Sequence, residues 1–205
     1  FRYTVGYGMT ECGPIITYAH WDKAKLYSCG VAAPRMEVKI DSDDPQNIPG
    51  EIMVKGDNVF LGYYKNEEAT NDAFTDDGWF KTGDLGIMDA DGFLYIKGRS
   101  KTMILGPSGQ NIYPEEIESE VNNMPYVGES LVIEDKEKLI ALVYPDQEMV
   151  EKESLTTEQL QEKLNEALKM VNTSLPNYCK LAAVEIFPEE FEKTPKKSIK
   201  RYLYQ

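Results

Sequence analysis

Histidine, cysteine and basic residues are scarce in this chain, and each scarcity excludes a class of site. The 205 residues include one histidine and three cysteines, and 35 acidic side chains outnumber 22 basic ones. A formal net charge of −13 leaves no broad basic face, so we expect no nucleic-acid partner. The one histidine, His20, has no partner at metal-ligand spacing, and we interpret it as structural.

The spacing of the cysteines argues against a disulfide framework, and the short apolar runs argue against a transmembrane helix. Cys12, Cys29 and Cys179 lie far apart and form no CxxC pair. An odd number of scattered thiols fits a reducing compartment, so we expect a cytoplasmic protein without a disulfide framework. No apolar run approaches the length of a transmembrane helix, and we expect no stable membrane insertion.

What is present indicates a packed fold of mixed type. Apolar residues make up 41% of the chain, a composition typical of a globular core. Residues 36–40 and 51–55 alternate apolar and polar side chains, which predicts two half-buried strands joined by a turn-rich connector. The chain opens at Phe1 inside an apparent strand, so we expect it to be a fragment whose N-terminal portion is missing.

Residues 7–11, Tyr-Gly-Met-Thr-Glu, have the residue types of a nucleotide-binding turn. Gly8 would let the backbone approach a ligand closely, and Tyr7 offers a flat face to a base. Thr10 could donate to a phosphate oxygen, and Glu11 could hold a hard cation such as Mg²⁺. An ordinary strand-to-loop turn explains the same spacing, and the residues alone do not separate the two interpretations.

Asp84 and Arg99 flank a predicted hairpin over residues 86–100, closed by the pair Asp91-Gly92. We place Asp84 on a loop that leaves an aromatic strand, where its carboxylate could accept hydrogen bonds from a ribose diol. Arg99 is suited to a phosphate or ribose oxygen because guanidinium makes forked, directional contacts. The alternatives are a turn-capping aspartate and a surface salt bridge.

From residue 101 onward the pattern changes to interleaved helices and strands. Pro114 is placed at a helix start, where its missing N–H costs nothing. Thr156–Leu175 has apolar residues at helical spacing and a capping box between Thr156 and Gln159. We therefore predict an α+β protein of two units, residues 1–100 and residues 101–205, with a hinge at Lys101.

Five segments occur in the order and spacing of one known superfamily: residues 7–11, 62–70, 79–85, 98–101 and 109–118. With them the chain resembles the C-terminal part of the acyl-adenylate-forming enzymes, which include acyl-CoA synthetases, adenylation domains and luciferases. Within that group it is most similar to long-chain fatty acid–CoA ligases. The resemblance implies that residues 1–100 are the β-rich, barrel-like end of the large AMP-binding domain. Residues 101–205 would be the small, mobile α+β C-terminal domain.

The resemblance also implies a role for each matching residue. Tyr7 would lie against the adenine, and Gly8 would belong to the same nucleotide-binding turn. Thr10 would bind the α-phosphate, and Glu11 would hold Mg²⁺. Asp84 would hold the ribose hydroxyls with Arg99 nearby. Lys101 would be the hinge, and Gly109 would lie in the loop that approaches the thiol arm of CoA.

The implied chemistry has two steps and uses ATP, Mg²⁺ and CoA. A fatty acid carboxylate, expected to be of long chain, attacks the α-phosphorus of ATP to give acyl-AMP and pyrophosphate. The thiol of CoA then displaces AMP to give a thioester. Rotation at Lys101 would exchange a lysine face for the Gly109 face between the two steps, so that one site serves both.

The end of the chain departs from the family pattern. Aligned without gaps, the position of the adenylating lysine falls on Ser198, with Lys197 beside it and Lys196 and Lys200 close by. We expect Lys197 to take this role, delivered by a flexible tail. The alternative is a solvated basic tail with slow or absent adenylation.

Two further interpretations stay open. The enzyme could load its acyl group onto a carrier protein instead of CoA, or the fold could persist as a non-catalytic binding module. The phosphate loop and most of the acyl pocket of the family precede residue 7, so we expect the isolated chain to be inactive. Long acyl substrates would bring the enzyme to membranes only transiently.

Overall fold

The computed structural model describes residues 2–107, 109–195 and 197–204. The backbone contacts divide the chain into two compact units, one ending at Lys101 and the other beginning at Thr102. Each unit has its own cluster of buried apolar side chains. Mobility at Lys101 stays a prediction.

The first unit contains seven strands and one short helix. These are β1 (Gly6–Gly8), β2 (Ile15–Tyr18), β3 (Val31–Ala32), β4 (Met36–Asp41), β5 (Gly50–Gly56), α1 (Glu67–Ala73), β6 (Phe80–Met88) and β7 (Leu94–Arg99). Strands β1, β2 and β3 form one antiparallel sheet, and β4 to β7 form a second in sequence order.

The alternation predicted for residues 36–40 and 51–55 is confirmed in β4 and β5. These strands pair with Val38 opposite Val54 and Ile40 opposite Ile52. Side chains on one face of this sheet enter the core, where Ile52 and Phe80 are almost fully buried. Among the described residues the two sheets remain open, so the predicted barrel-like end was too specific.

The predicted hairpin over residues 86–100 is confirmed as β6 and β7, with Gly92 in the left-handed region at φ +82° in its turn. The location of Asp84 was wrong. It lies inside the nine-residue strand β6 rather than on a loop, because the strand continues past a local irregularity at Gly83, where φ is +73°.

The second unit joins a small hairpin to a three-stranded sheet covered by helices. Its elements are β8 (Ile104–Leu105), β9 (Asn111–Ile112), α2 (Pro114–Val121), β10 (Val127–Asp135), β11 (Lys138–Pro145), α3 (Gln147–Glu153), α4 (Thr157–Ser174) and β12 (Leu181–Ile186). Strand β11 is central, antiparallel to β10 and parallel to β12.

The helices of this unit begin and pack as their sequences dictate. Pro114 occupies the first turn of α2, and the Thr156–Gln159 capping box of α4 is confirmed. Helices α2 and α4 bury Ile117 and Leu164 against the sheet. Within the described residues, none of the helices combines the length and the apolar character needed to cross a bilayer.

Candidate functional site

A buried carboxylate, that of Asp84, is the centre of the polar network in the first unit. The register of β6 and β7 places Asp84 opposite Arg99, and Asp84 Oδ1 lies 3.0 Å from Arg99 Nε. Asp84 Oδ2 accepts a 2.7 Å hydrogen bond from the Tyr7 hydroxyl. The Asp84 side chain is 9% exposed whereas that of Arg99 is 66% exposed, so the network runs from the core to the surface.

The backbone around Asp84 is fixed by neighbouring strands. The Asp84 N–H donates to the Thr82 hydroxyl at 3.1 Å, and that hydroxyl donates to the Ile52 carbonyl at 2.8 Å. The Gly83 N–H donates to Glu51 Oε1 at 3.0 Å. These bonds from β5 and β6 fix the backbone at Asp84, and the contacts with Tyr7 and Arg99 orient its carboxylate.

Tyr7 is more deeply placed than its predicted role suggested. Its ring belongs to the core cluster of the first unit and is 9% exposed. Burial, reinforced by the negative charge of Asp84, raises the pKa of Tyr7, so its hydroxyl remains a proton donor. A role against adenine stays a prediction, and the structure adds a second role as the partner that orients Asp84.

Gly8 is required by the turn itself. A Cβ at this position would lie 1.9 Å from the Pro14 carbonyl oxygen, which instead accepts a 2.8 Å hydrogen bond from the Met9 N–H. Glycine is therefore needed at this position because the backbone at Gly8 lies close to Pro14, whereas its close approach to a ligand stays a prediction. No substitution at Gly8 could test ligand binding without disturbing this turn.

Thr10 and Glu11 lie on the short 3₁₀ helix Thr10–Cys12 that follows β1. The Thr10 side chain is exposed and that of Glu11 is half-buried, with Glu11 Oε1 accepting a 3.3 Å hydrogen bond from the Tyr63 hydroxyl. Tyr63 belongs to the 62–70 motif but had no predicted role. Its motif was the available signal, and its contact with Glu11 joins the two segments.

The described residues contain no group of three or more side chains that could hold a metal ion by themselves. Glu11 thus offers a single carboxylate. This donor set fits Mg²⁺ accompanying a nucleotide, because Mg²⁺ is commonly bound by one or two carboxylates, water and substrate phosphates. His20, for which no metal-ligand partner was predicted, forms an exposed pair with Asp22, in which Nδ1 lies 2.5 Å from Asp22 Oδ1.

Gly109 lies in the turn between β8 and β9 in the second unit. Its φ is +81°, a Cβ there would meet nothing within 4 Å, and its N–H donates to the Gly106 carbonyl at 2.9 Å. The same turn borders a cavity of about 320 Å³ whose charged lining consists of Lys138, Lys180, Glu134 and Glu137. Gly109 is therefore exposed and lies beside a cavity lined by charges of both signs.

The described residues of the basic tail are hydrogen-bonded and packed, and delivery of a lysine by a flexible tail stays a prediction. Residues 193–195 and 197–199, the lysine hairpin, are bridged between Lys193 and Ile199, and the Thr194 N–H donates to the Ser198 carbonyl at 2.8 Å. Phe191, just before this hairpin, is buried and stacks on Phe187 with ring centroids 5.0 Å apart. Aromatic packing against the sheet provides the physical reason for the order.

The lysines of the tail have different surroundings. Lys197 lies at the exposed tip of the lysine hairpin, with φ +62° and its N–H donated to the Thr194 carbonyl at 2.8 Å. Lys200 Nζ is paired with Glu192 Oε2 at 3.0 Å. Lys196 lies outside the described residues. Among the described lysines at this position, Lys197 is the one whose ammonium is free for a ligand.

Comparison with known families gives two matches that together span most of the chain. Residues 2–64 match the AMP-binding enzyme family, and residues 101–204 match the AMP-binding enzyme C-terminal domain. The long-chain-fatty-acid–CoA ligase FadD15 of Mycobacterium bovis is 32% identical over 96% of the chain, which spans 35% of that protein. A long-chain-fatty-acid–CoA ligase of Yersinia pestis is 45% identical over 62% of the chain and 23% of its own length.

Solved structures agree with the sequence matches. The O-succinylbenzoate CoA synthetase of Bacillus subtilis, in complex with ATP and magnesium, superposes with a TM-score of 0.82 at 31% identity, covering 98% of this chain and 41% of that one. ATP-bound MatB of Rhodopseudomonas palustris gives a TM-score of 0.74 at 30% identity, covering 98% and 39%. The chain spans about a third or less of the curated relatives and about two fifths of these structures.

Proposed function

The chain belongs to the family of AMP-binding enzymes, and we propose that it acts as the C-terminal part of an ATP-dependent fatty acid–CoA ligase. The observation that carries this proposal is the oriented carboxylate of Asp84. It is buried and contacts both the Tyr7 hydroxyl and the guanidinium of Arg99, whose side chain is largely exposed at the surface. A purely structural aspartate has little need of so many fixed partners.

The Asp84 carboxylate retains capacity for a ligand. A carboxylate has about four lone-pair sites, and the described contacts with Tyr7 and Arg99 use two of them. We assign the remaining capacity to the two hydroxyls of the ATP ribose. Arg99 neutralises the carboxylate and could turn toward a phosphate or ribose oxygen, since most of its side chain is exposed.

Thr10 and Glu11 serve the phosphate end of the nucleotide in this proposal. The exposed Thr10 hydroxyl would donate to the α-phosphate, and Glu11 would hold Mg²⁺. When bound, Mg²⁺ supplies positive charge to the phosphate oxygens. The Tyr63 hydroxyl contributes by orienting the Glu11 carboxylate.

The second unit supplies the groups for the two half-reactions. Lys197, at the tip of the lysine hairpin, would stabilise negative charge on the phosphate during adenylation. The Gly109 turn would admit the thiol arm of CoA, because Gly109 is exposed and has no side chain of its own. Lys138 and Lys180, beside the turn, are suited to the phosphates of CoA.

A second candidate function keeps adenylation but passes the acyl group to a carrier protein. The curated relatives reported above are named as CoA ligases, which favours free CoA as the acceptor. A non-catalytic role is supported by Ser198 alone. The fixed geometry of Asp84 argues against it.

The test uses the longer enzyme that contains these residues, with ATP–pyrophosphate exchange measured over a panel of fatty acids. We expect exchange with long-chain acids, and a loss of at least about tenfold in kcat/KM for ATP in Asp84→Asn, since the amide lacks the negative charge and replaces one acceptor oxygen by a donor. Asp91→Asn, a carboxylate in the turn of the same hairpin, is the matched control and should retain exchange.

Acceptor choice is decided in the same preparation. Thioester formation with free CoA supports the ligase, and transfer only to a carrier protein supports the second candidate. Absence of exchange with every acid would overturn both and favour a binding role. Equal loss of exchange in Asp84→Asn and Asp91→Asn would contradict the assignment of the ribose to Asp84.

A further inference from the structure

Arg201 makes the most extensive buried polar contacts in the second unit. It begins the short 3₁₀ helix Arg201–Leu203, just after the lysine hairpin, and its side chain is 13% exposed. Its Nη2 donates to Glu118 Oε2, its Nη1 donates to the Val132 carbonyl at 3.2 Å, and its Nε lies 3.7 Å from Glu115 Oε1. One side chain thus reaches both α2 and β10.

Glu118 completes a closed arrangement around the same backbone position. Its Oε1 accepts a 2.7 Å hydrogen bond from the Val132 N–H, while its Oε2 receives Arg201. The Val132 N–H therefore bonds to the acid of the ion pair, and the Val132 carbonyl bonds to the base. Burial raises the pKa of the Glu118 carboxyl and the positive charge of Arg201 opposes that rise, so separating the pair would leave a buried group without compensation.

Glu115 extends the network to the start of the unit. Its Oε1 accepts a 2.6 Å hydrogen bond from the hydroxyl of Thr102, the residue after the predicted hinge Lys101. Its Oε2 is buried and has no hydrogen-bond partner among the described residues. The helix that carries Glu115 and Glu118 begins five residues after Gly109. The Arg201 guanidinium therefore ties the end of the lysine hairpin to α2, the helix that follows the Gly109 turn, and Glu115 of the same helix contacts Thr102.

The two arms of the lysine hairpin are held differently. The first arm is fixed by Lys193 Nζ, 2.5 Å from Glu129 Oε1, and by the buried ring of Phe191. The second arm leads directly into Arg201, whose charged contacts anchor it to α2 and β10. The apolar core of this unit already packs α2 on the sheet, so the ion pair is not needed for that packing.

We propose that Arg201 is a positioning residue for Lys197: its contacts with Glu118, Glu115 and Val132 fix the second arm of the lysine hairpin to the helix that follows the Gly109 turn. The lysine hairpin, the Gly109 turn and Thr102 then move as parts of one rigid unit. Lys197 needs this anchor because it lies on an exposed tip where no side-chain contact among the described residues holds it. The proposal rests on the proposed function for the role of Lys197.

The first test measures amide hydrogen exchange in the 205-residue chain, independently of catalysis. In Arg201→Met we expect the amides of Thr194, Lys197 and Lys200, which are hydrogen-bonded within the tail, to exchange at least about tenfold faster. The amides of Ala141 and Val143 in the central strand should keep their protection. Unchanged tail amides, or acceleration of both sets alike, would overturn the positioning role.

The second test measures both half-reactions in the longer enzyme. Arg201→Met should lower kcat for ATP–pyrophosphate exchange at least about tenfold while thioester formation from supplied acyl-adenylate stays within about threefold. Arg201→Lys keeps the positive charge but loses the forked hydrogen bonds of the guanidinium, so its exchange rate should lie between those of Arg201→Met and the unmutated enzyme. Lys163→Met removes a surface lysine paired with Glu153 in the same unit and should leave both rates unchanged.

The outcomes separate the two proposals. Equal loss of both half-reactions in Arg201→Met would show a merely structural arginine, and no loss in either would show that Lys197 needs no anchor. Either result overturns the inference. If the unmutated enzyme lacks exchange with every acid, the proposed function fails, whereas the hydrogen-exchange result still decides whether Arg201 fixes the lysine hairpin.

Discussion

The Tyr7 hydroxyl donates a 2.7 Å hydrogen bond to Asp84 Oδ2, joining residues 77 positions apart in the sequence. The bond links strand β1, in which the 7–11 motif begins, to the β6–β7 hairpin. It makes Asp84 part of the core of the first unit as well as a candidate ligand for ribose. Substitutions at either residue therefore affect folding and function together, and the choice of variant decides which of the two is measured.

Tyr7→Phe removes this hydrogen bond with little change of shape. We expect the free energy of unfolding of the chain to fall by about 2 kcal/mol, because a buried carboxylate oxygen loses a donor. Urea denaturation of the 205-residue chain measures the loss. Tyr18→Phe, which removes the hydroxyl of an exposed tyrosine, is the control and should change stability little. Equal stability of Tyr7→Phe and the unmutated chain would show that Asp84 does not need this donor.

The turn of the β6–β7 hairpin should contribute stability that depends on acid pH. The Lys25 ammonium lies 2.6 Å from Asp89 Oδ2, and this hydrogen bond lowers the pKa of Asp89 to about 2 from an ordinary value of 3.8. A depressed carboxyl pKa stabilises the folded state above the unfolded pKa, and that contribution is lost as the pH falls toward the folded pKa.

We therefore expect Asp89→Asn to lower the melting temperature at pH 6, with the difference from the unmutated chain closing between about pH 4 and pH 2. Thermal unfolding followed by circular dichroism over this range measures it. Asp72→Asn, an exposed residue of α1, controls for the loss of one negative charge. A difference that persists unchanged at pH 2 would contradict the role of the ion pair.

The thiol of Cys12 should be nearly inert in the folded chain. Burial, reinforced by the charge of Glu11, raises the pKa of Cys12 to about 11, and its side chain is fully buried. The thiolate is the reactive form, so at pH 7.5 we expect iodoacetamide to label Cys12 at least about 100-fold more slowly than in the urea-unfolded chain. Mass spectrometry of the labelled peptides measures both rates. Rapid labelling under native conditions would show that this part of the core opens readily.

Local patterns predicted the elements that are fixed by neighbours in sequence. The β4–β5 alternation, the Asp-Gly turn and the Thr156–Gln159 capping box are all short-range signals, and each is confirmed. Helix α3 was not predicted because it has seven residues and depends on the cap in which Asp146 accepts from the Met149 N–H. Asp84 was misplaced because an isolated Gly83 suggests a loop, whereas pairing with β5 and β7 continues the strand.

Contacts between distant residues were beyond the reach of the sequence. Tyr7 and Asp84 could be marked separately as candidates, yet their hydrogen bond depends on how β1 is placed against β6. No site role was predicted for Glu118, which was interpreted as a helix N-terminal acid, or for Arg201, which was interpreted as part of a basic tail. Their pairing across 83 positions follows from the packing of the tail on the sheet. Sequence motifs predict which residues belong to the candidate site, and the fold determines which contacts hold each of them in place.

The boundary between the two compact units should be a site of proteolysis. Lys101 is exposed, ends the first unit, and is a cleavage site for trypsin. Limited digestion of the folded chain should cut early after Lys101 and release residues 1–101 and 102–205 as resistant fragments. Lys101→Pro should suppress this cut and stiffen the junction without altering either core. Early cuts elsewhere, with one cooperative loss of both units, would contradict a hinge at Lys101.

The adenylating lysine can be identified by comparing three variants of the longer enzyme: Lys196→Ala, Lys197→Ala and Lys200→Ala. We expect Lys197→Ala to lower ATP–pyrophosphate exchange about 100-fold, because an exposed ammonium at the hairpin tip is available to a phosphate. Lys200→Ala should lose much less, since the Lys200 ammonium is already paired with Glu192 at 3.0 Å.

Thioester formation from supplied acyl-adenylate should survive in all three variants, because that step uses the Gly109 turn. Collapse in Lys200→Ala alone would move the assignment to Lys200 and require its ion pair to break in the active state. Full activity in all three variants would mean that Ser198 marks a true loss of the tail lysine and that the charge on the phosphate is stabilised from elsewhere in the enzyme.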